Sequence, residues 1–278
     1  MEVALASAGQ LLDGLPLLST LDLLGEHVTA EEQVAANAET YAQLLDAIAS
    51  EPRFSNTRER PTVSLKPSAF TTGDQRAAFT PIRALAERAR ERGVALTIDM
   101  EDHPWTDVTI EQAVALYREG YDVGTVLQSR LNRYLDDVAA IPEGMRVRLV
   151  IGIYPEPASI ATTDKREMKA RMLEMAARLL DAGAYVEFAT HDDATVERFA
   201  RELAPRAPER CEVQMLLGVP RAKIQQQLVR GDFGVSLPVR LYVPFGIRKA
   251  DATAYLRRRM DENPRMVLDV LRNLVRRR

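Results

Sequence analysis

The stretch Arg146-Val-Arg-Leu-Val-Ile-Gly-Ile-Tyr-Pro-Glu-Pro157 decides how the rest of the chain is read. It opens on a β-branched and apolar run, the pattern of a strand buried on both faces. It closes on Gly152, Tyr154, Pro155 and Pro157, which stop a strand abruptly and gather polar groups at its C-terminal end. If eight such strands close a barrel, that end faces the active site.

Working outward, the stretch supplies the run Val147–Tyr154, and seven more short apolar runs can be marked. They are Leu17–Leu24, Thr62–Lys66, Ala95–Met100, Val123–Gln128, Tyr185–Thr190, Glu212–Leu217 and Val239–Val243. Segments of helical periodicity lie between them. The first helix is expected to open at Thr29-Ala-Glu-Glu32 and the third at Thr109-Ile-Glu-Gln112, both capping-box patterns. The second is expected to open at Thr80-Pro81, an N-cap followed by proline at the first helical position, with Ile82, Leu85, Ala86 and Ala89 as its apolar face. The fifth is the most regular, with Met168, Met172, Met175, Ala176, Leu179 and Leu180 three or four apart. Its methionines suit a soft-metal face on paper, but core packing against the strands is the better reading. Helix six carries Val196, Phe199 and Leu203, and helix seven follows Pro220 with Ile224 and Leu228. A last pair runs from about Ala250 to Glu262 and from Pro264 onward, with Met266, Val267, Val270, Leu271 and Val275 as its buried stripe.

Eightfold strand–helix alternation without a long linker predicts an α/β protein of the (βα)8 TIM-barrel type. A doubly wound open sheet is the alternative, weakened because no Gly-x-Gly-x-x-Gly turn follows any strand. With no repeat and no low-complexity segment, the economical reading is one barrel domain over residues 1–278 with a C-terminal helix.

Composition narrows the function classes. A 46% hydrophobic content supports a substantial core, and no apolar run reaches the roughly 18 residues of a membrane span. The N-terminus lacks a signal-peptide pattern, and a single cysteine, Cys211, excludes an internal disulfide, so a reducing, cytoplasmic setting is expected. Cys211 sits in an apolar run and reads as a small core residue. The net charge of −3 gives no reason to expect nucleic acid. The basic end, with Arg272, Arg276, Arg277 and Arg278, reads as a solvated helix terminus rather than a polyanion site.

In a barrel the chemistry belongs to the strand C-termini and the loops after them. Those positions hold Asp22 and Glu26, Lys66, then Asp99, Glu101, Asp102 and His103. Next come Gln128 and Arg130, Arg148 and Tyr154, and Thr190, His191 and Asp192. Gln214 and Tyr242 follow on strands seven and eight, and Tyr255 with Arg257, Arg258 and Arg259 on the last barrel helix. Three chemistries could use this set. A metal site from Asp99, Glu101 and His103 competes with an exposed acidic loop, and no second histidine cluster supports it, so no metal is expected. Schiff-base chemistry at Lys66 competes with an ordinary ion pair to Asp99 or Glu101 on the neighbouring strand, which is the better reading. Anion recognition by Arg258 and Arg259, which point about 100° apart on a helix, competes with plain surface charge.

Nine ordered motifs carry a resemblance that decides among these. Leu21-Asp-Leu-Leu-Gly-Glu26, Ser64-Leu-Lys66, Ile98-Asp-Met-Glu-Asp102 and Val126-Leu-Gln128 come first. Arg148-Leu-Val-x-Gly-x-Tyr154, Ala189-Thr-His-Asp192 and Val213-Gln-x-Leu-x-Gly218 follow, then Arg240-x-Tyr-x-Pro-x-Gly246 and Tyr255-x-x-Arg-Arg-x-x-Glu262. Together they resemble the proline dehydrogenase family, FAD-dependent (βα)8 barrels that oxidise L-proline to Δ1-pyrroline-5-carboxylate by hydride transfer to flavin N5. The resemblance implies that Arg258 and Arg259 clamp the substrate carboxylate, with Glu26 pairing to Arg258. It implies that Tyr242, Tyr255, Leu216 and Tyr154 wall the substrate, and that Lys66 and Asp99 lie beneath its ring with Asp99 near the amine. Arg148, Gln128 and Gly152 would address the flavin ring, with Thr163, Lys165, Thr190 and His191 on the ribityl and phosphate groups and Glu262 on the adenosine side. The missing glycine fingerprint then needs no other explanation, because the family cradles FAD without a Rossmann unit.

The sequence also departs from the family pattern. Ile151 stands where the family has lysine, Ile153 where it has alanine, and Leu217 where many relatives have tyrosine or histidine. The loop between Gly246 and Tyr255 lacks an aromatic pair, and the chain begins almost at strand one, without most of the helices that precede the barrel in the family. The leading expectation is an FAD-dependent proline dehydrogenase-like oxidoreductase of proline catabolism. A variant of it prefers a smaller or acyclic amino acid because Ile153 crowds the ring. From a different class, the chain is a non-catalytic amino-acid- or partner-binding relative that has lost flavin; a metal-dependent barrel enzyme comes third. The expected partners are a small amino acid and a quinone or oxygen as electron acceptor. Nucleic acid and a transmembrane segment are not expected, and peripheral membrane contact and oligomer formation are left open.

Overall fold

The computed structural model describes residues 1–25 and 28–246, and in it eight parallel strands close on themselves in chain order. They are β1 (Leu18–Leu23), β2 (Thr62–Leu65), β3 (Leu96–Ile98), β4 (Val123–Gln128), β5 (Arg146–Val150), β6 (Tyr185–Ala189), β7 (Cys211–Leu216) and β8 (Val239–Phe245). The barrel shuts where β8 pairs with β1, from Leu18 opposite Arg240 to Leu23 opposite Phe245. Around it lie α1 (Glu2–Leu12), α2 (Glu31–Ser50), α3 (Phe79–Arg92), α4 (His103–Arg118), α5 (Tyr134–Ala139), α6 (Lys165–Asp181), α7 (Asp193–Arg198) and α8 (Ala222–Arg230). The chain forms the expected (βα)8 barrel. The last helix pair expected beyond Ala250 lies outside the described residues. Among the described residues no helix is long and apolar enough to cross a membrane.

The strands are not uniformly apolar. Side chains alternate between the two faces of a strand, and here, Thr125 and Val126 on β4 apart, most apolar residues take the outer face and most polar ones the inner. On β5, Val147 and Leu149 are fully buried in the apolar core beneath the helices. Arg148 instead bonds to Asp99, Ser64 and Gln214, which arise from β2, β7 and the end of β3. Strands so far apart can meet only through the barrel interior. The opening stretch is therefore buried on both faces as expected, but one face is ionic. It also stops sooner than expected, at Val150 rather than Tyr154. The N–H groups of Ser129 and Arg130 take the carbonyls of Val150 and Ile151 at 2.9 and 3.1 Å, and Gly152 then turns into the left-handed region with φ +97°. Ile151, Gly152, Ile153 and Tyr154 thus belong to the loop after β5.

Several helix starts differ from the sequence expectation. In α2 the Gln33 side chain, not that of Glu32, accepts from the Thr29 and Ala30 N–H groups, at 2.8 and 3.3 Å. α3 begins at Phe79, because the short 3₁₀ turn Arg76–Ala78 leads straight into it and no side-chain cap is needed. α4 begins at His103, six residues before the expected cap. Asp102 is extended there and Pro104, which has no N–H to satisfy, fills the first turn. Thr109 then falls inside the helix. α1 precedes β1 without having been marked by periodicity, since its buried face is built of small residues, Ala4, Ala8 and Gly9, with Leu5 alone among the large ones. α6 buries Met168, Met172, Met175, Ala176, Leu179 and Leu180 as expected. Cys211 is buried, and its burial pushes the thiol up to about 12, so it remains an inert core residue.

Candidate active site

Four strands deliver a compact ionic cluster to the barrel mouth. Asp22 lies on β1, Lys66 directly after β2, Asp99 directly after β3 and Tyr242 on β8. The Lys66 ammonium sits 2.9 Å from both Asp22 oxygens, 3.5 Å from Asp99 Oδ2 and 3.3 Å from the Tyr242 hydroxyl. Tyr242 in turn donates to Asp99 Oδ2 at 2.8 Å. The ion pair expected between Lys66 and Asp99 exists at 3.5 Å, and among the described residues a shorter one, 2.9 Å, runs to Asp22 on β1, the other strand that flanks β2. Such a paired ammonium is a poor Schiff-base nucleophile, because the attacking amine must be neutral.

Protonation follows from the surroundings. Burial pushes the Asp22 carboxyl up to about 6, with the charge of Asp99 adding to the shift and Lys66 opposing it. Burial, reinforced by Asp22 and Asp99, raises the Tyr242 phenol well above its ordinary range, so it stays a neutral donor.

Beneath this cluster lies Arg148. Its Nη1 donates to Asp99 Oδ1 at 2.6 Å, its Nη2 to Ser64 Oγ at 3.0 Å and its Nε to Gln214 Oε1 at 2.6 Å. Its guanidinium carbon stands 5.2 Å from the centre of the Tyr242 ring. Asp99 is thus fixed by Arg148 on one oxygen and by Tyr242 and Lys66 on the other. A second layer continues inward, where Arg240 grips Glu212 at 2.7 and 3.1 Å and Arg146 pairs with Glu187 at 3.0 Å.

A second polar group lines the mouth above β4 to β6. Gln128 Nε2 donates to the Glu101 carbonyl at 2.9 Å, while its Oε1 lies so near Gly152 that a Cβ there would come within 2.5 Å. Arg130 Nη1 donates to the Tyr154 carbonyl, which holds the loop after β5 over β4. Ser129 Oγ and Arg130 Nε are buried without a hydrogen-bond partner in this loop pair. Next to it, His191 Nε2 accepts the Leu216 N–H at 2.9 Å, which makes the imidazole neutral with its proton on Nδ1. Thr190 Oγ1 accepts the Asp192 N–H at 3.2 Å, and Asp192 caps α7 and pairs with Lys169 at 2.6 Å. Thr163 and Lys165 are exposed at the start of α6.

The structure brings Lys66, Asp99, Tyr242 and Arg148 into one cluster and places Gln128, Gly152 and Tyr154 around the β4 and β5 ends. It sets His191 against Leu216 on the neighbouring strand. Glu26, Tyr255, Arg258, Arg259 and Glu262 lie outside the described residues. The trio Asp99, Glu101 and His103 is dispersed: Glu101 receives the Ser68 N–H and hydroxyl at 2.8 and 2.5 Å, and His103 Nδ1 meets Glu156 at 2.7 Å. Among the described residues no group of three His, Cys, Asp or Glu side chains is placed to hold a metal ion. Ile153 is 40% exposed in the loop after β5 rather than on the strand, and Leu217 is 36% exposed.

Ser64, Glu187 and Glu212 carry no site role in the sequence reading, and Asp22 enters it only as a polar strand-end residue. A usable signal exists in Tyr185-Val-Glu-Phe-Ala189 and Cys211-Glu-Val-Gln-Met-Leu216, where charged or amide residues alternate with apolar ones.

Comparison with known proteins gives the arrangement its relatives. The family model described as Proline dehydrogenase matches residues 8–270. A protein named proline dehydrogenase from Deinococcus radiodurans is 32% identical over 277 residues, covering 96% of this chain and 85% of that protein. Proline dehydrogenase 1 of Bacillus subtilis subsp. natto is 32% identical over 268 residues, covering 93% and 82%. Among solved structures, proline utilization A from Bdellovibrio bacteriovorus, inactivated by N-propargylglycine, superposes with a TM-score of 0.76 at 22% identity. The match covers 93% of this chain and 31% of that one. A bifunctional proline utilization A protein gives 0.75 at 24% identity, covering 88% and 28%. The chain thus spans under a third of those larger proteins, and at these identities they establish the barrel fold alone.

Proposed function

The chain belongs to the proline dehydrogenase family, and from that premise we propose that it oxidises L-proline to Δ1-pyrroline-5-carboxylate with FAD. Membership makes it a proline dehydrogenase-like oxidoreductase. What supports the finer reading is the Asp99 carboxylate, fixed by Arg148, Tyr242 and Lys66 at the barrel mouth.

Oxidation of a cyclic secondary amine removes a hydride from the carbon beside nitrogen and a proton from nitrogen, leaving a C=N bond. The amine must shed its ammonium proton first, since a cationic nitrogen cannot push electrons toward the breaking C–H bond. Asp99 is the group proposed to hold the amine. Tyr242 stays neutral and braces that carboxylate, while Asp22 pairs with the Lys66 ammonium beside it. Arg258 and Arg259 would grip the substrate carboxylate, with Glu26 on Arg258, and Tyr154, Leu216 and Tyr255 would complete the walls. A two-arginine clamp fixes a carboxylate in direction as well as charge.

We place the flavin on the β4–β6 side of the mouth. That reading is supported by the amide fixed at Gln128, the left-handed Gly152 turn packed beside it, and Arg130 Nε, which has no hydrogen-bond partner. Gln128, Arg148 and Gly152 would hold the ring, and Thr163, Lys165, Thr190, His191 and Glu262 the remainder of FAD. Bound there, FAD would supply the two-electron acceptor for the hydride.

The purified protein should be yellow and should bleach when mixed with L-proline without oxygen. A colourless protein that added FAD cannot reconstitute would overturn the proposal and favour the flavin-free binding relative. Bleaching by small secondary amines but not proline would relocate the substrate preference to the Ile153 loop. Re-oxidation of the bleached protein by a soluble quinone or by oxygen would identify the class of electron acceptor.

A further inference from the structure

The barrel interior contains a neutral side chain whose polarity is forced at both ends. Gln214 on β7 accepts from Arg148 Nε through Oε1 at 2.6 Å and donates through Nε2 to Glu212 Oε1, also at 2.6 Å. Arginine can only donate and an ionised glutamate can only accept, so the amide has one permitted orientation. Glu212 is itself immobilised by Arg240, whose Nη1 donates to the Ser19 carbonyl at 2.9 Å. Gln214 therefore ties Arg148 to an anchor deep in the barrel.

Charge balance shows why an amide is needed. Among the described residues of the lumen, Arg146, Arg148, Arg240 and Lys66 face Asp22, Asp99, Glu187 and Glu212, four cations against four carboxylates. A charged side chain in place of Gln214 would break this parity in a buried site. A competitor for Arg148 also waits nearby. Glu187 Oε2 is buried without a hydrogen-bond partner and lies 3.8 Å from Arg148 Nε.

We propose that Gln214 is a positioning residue that holds the Arg148 guanidinium on Asp99 and away from Glu187, keeping the carboxylate that faces the amine aligned. Its kinetic consequence rests on the proline dehydrogenase reading; its geometric consequence does not. Without the tether, Arg148 Nε closes on Glu187 and Nη1 leaves Asp99.

The test compares Gln214→Leu with Gln214→Glu in the full chain. Anaerobic flavin reduction by L-proline should fall roughly 10- to 100-fold in Gln214→Leu, mainly in the limiting rate rather than in KM. In Gln214→Glu the protonated carboxyl accepts through its carbonyl and donates through its hydroxyl, as the amide does, whereas the carboxylate repels Glu212. That variant should therefore approach wild-type reduction as pH falls and lose it as pH rises, an ionisation missing from the wild-type profile. Variants that merely lose thermal stability, with unchanged rate and pH profile, would overturn the proposal. If the wild type itself is not reduced by proline, it is the functional reading that fails. Crystal structures of Gln214→Leu then decide the inference alone: a guanidinium moved to Glu187 supports it, and one still on Asp99 overturns it.

Discussion

Val147 and Leu149 occupy one face of β5, and Arg146 and Arg148 the other, so a single five-residue strand borders two differently built interiors. The shell between strands and helices is apolar and close-packed, as where Phe188 on β6 stacks on Phe199 with ring centres 4.2 Å apart. The lumen is an ionic lattice. Shell burial is favourable by itself, since apolar surface leaves water. Lumen burial costs free energy for each ion, and only its partners offset that cost. The shell therefore holds the barrel together, and the lumen fixes the side chains of the candidate site against one another.

Truncation should expose that difference most strongly. Arg240→Met leaves Glu212 buried and unpaired and should cost about 3–5 kcal/mol in denaturant unfolding. Adding Glu212→Leu should recover most of the loss, though not all, because Gln214 Nε2 loses its acceptor. Phe188→Ala should cost a similar 3–5 kcal/mol or so, but adding Phe199→Leu should deepen the loss, since a second shell truncation enlarges the cavity. A lumen pair that cannot be rescued by its double variant would break the comparison.

A smaller effect should appear with pH. The Asp22 carboxyl titrates at about 6 in the folded chain against an ordinary value of 3.8. The folded state thus keeps a proton that the unfolded chain has already released, so stability falls as pH rises from about 4 to about 6 and levels off above. Unfolding curves of Asp22→Asn should lack that fall while following the wild type at higher pH in slope. A wild type whose stability is flat across the window would show that Lys66 neutralises Asp22 fully. Least of all should happen at Arg198→Ala on the outer surface, where the pair with Glu202 is exposed on both sides. Its unfolding midpoint should match the wild type within error.

Much of the architecture was legible. The run Val123–Gln128 coincides with β4, and Met168, Met172 and Met175 are buried as the helical spacing requires. Helix starts were less legible because several cap patterns compete. Thr109-Ile-Glu-Gln112 has the capping sequence, yet Asp102 and Pro104 start the helix nearly two turns earlier and leave Thr109 Oγ1 buried without a hydrogen-bond partner. Of the site, Lys66, Asp99, Arg148 and Tyr242 were named from the sequence and meet in the structure, whereas Asp22 and Gln214 were noticed only as polar strand residues. A lone polar residue in a strand does not reveal its partner.

What the sequence by itself determined is the order of strands and helices, the family and the residue types at the barrel mouth, since periodicity and motifs are local. Only the tertiary structure decided that the strands carry an ionic inner face and that Lys66 pairs first with Asp22, 44 positions away. It also decided that Arg148 reaches Ser64, 84 positions away. Asp22 and Lys66 belong to the neighbouring strands β1 and β2, whereas Arg148 meets Ser64 because β8 closes on β1 and turns the inner faces of distant strands toward one another. Closure is a property of the whole barrel, and no single stretch of the chain encodes it.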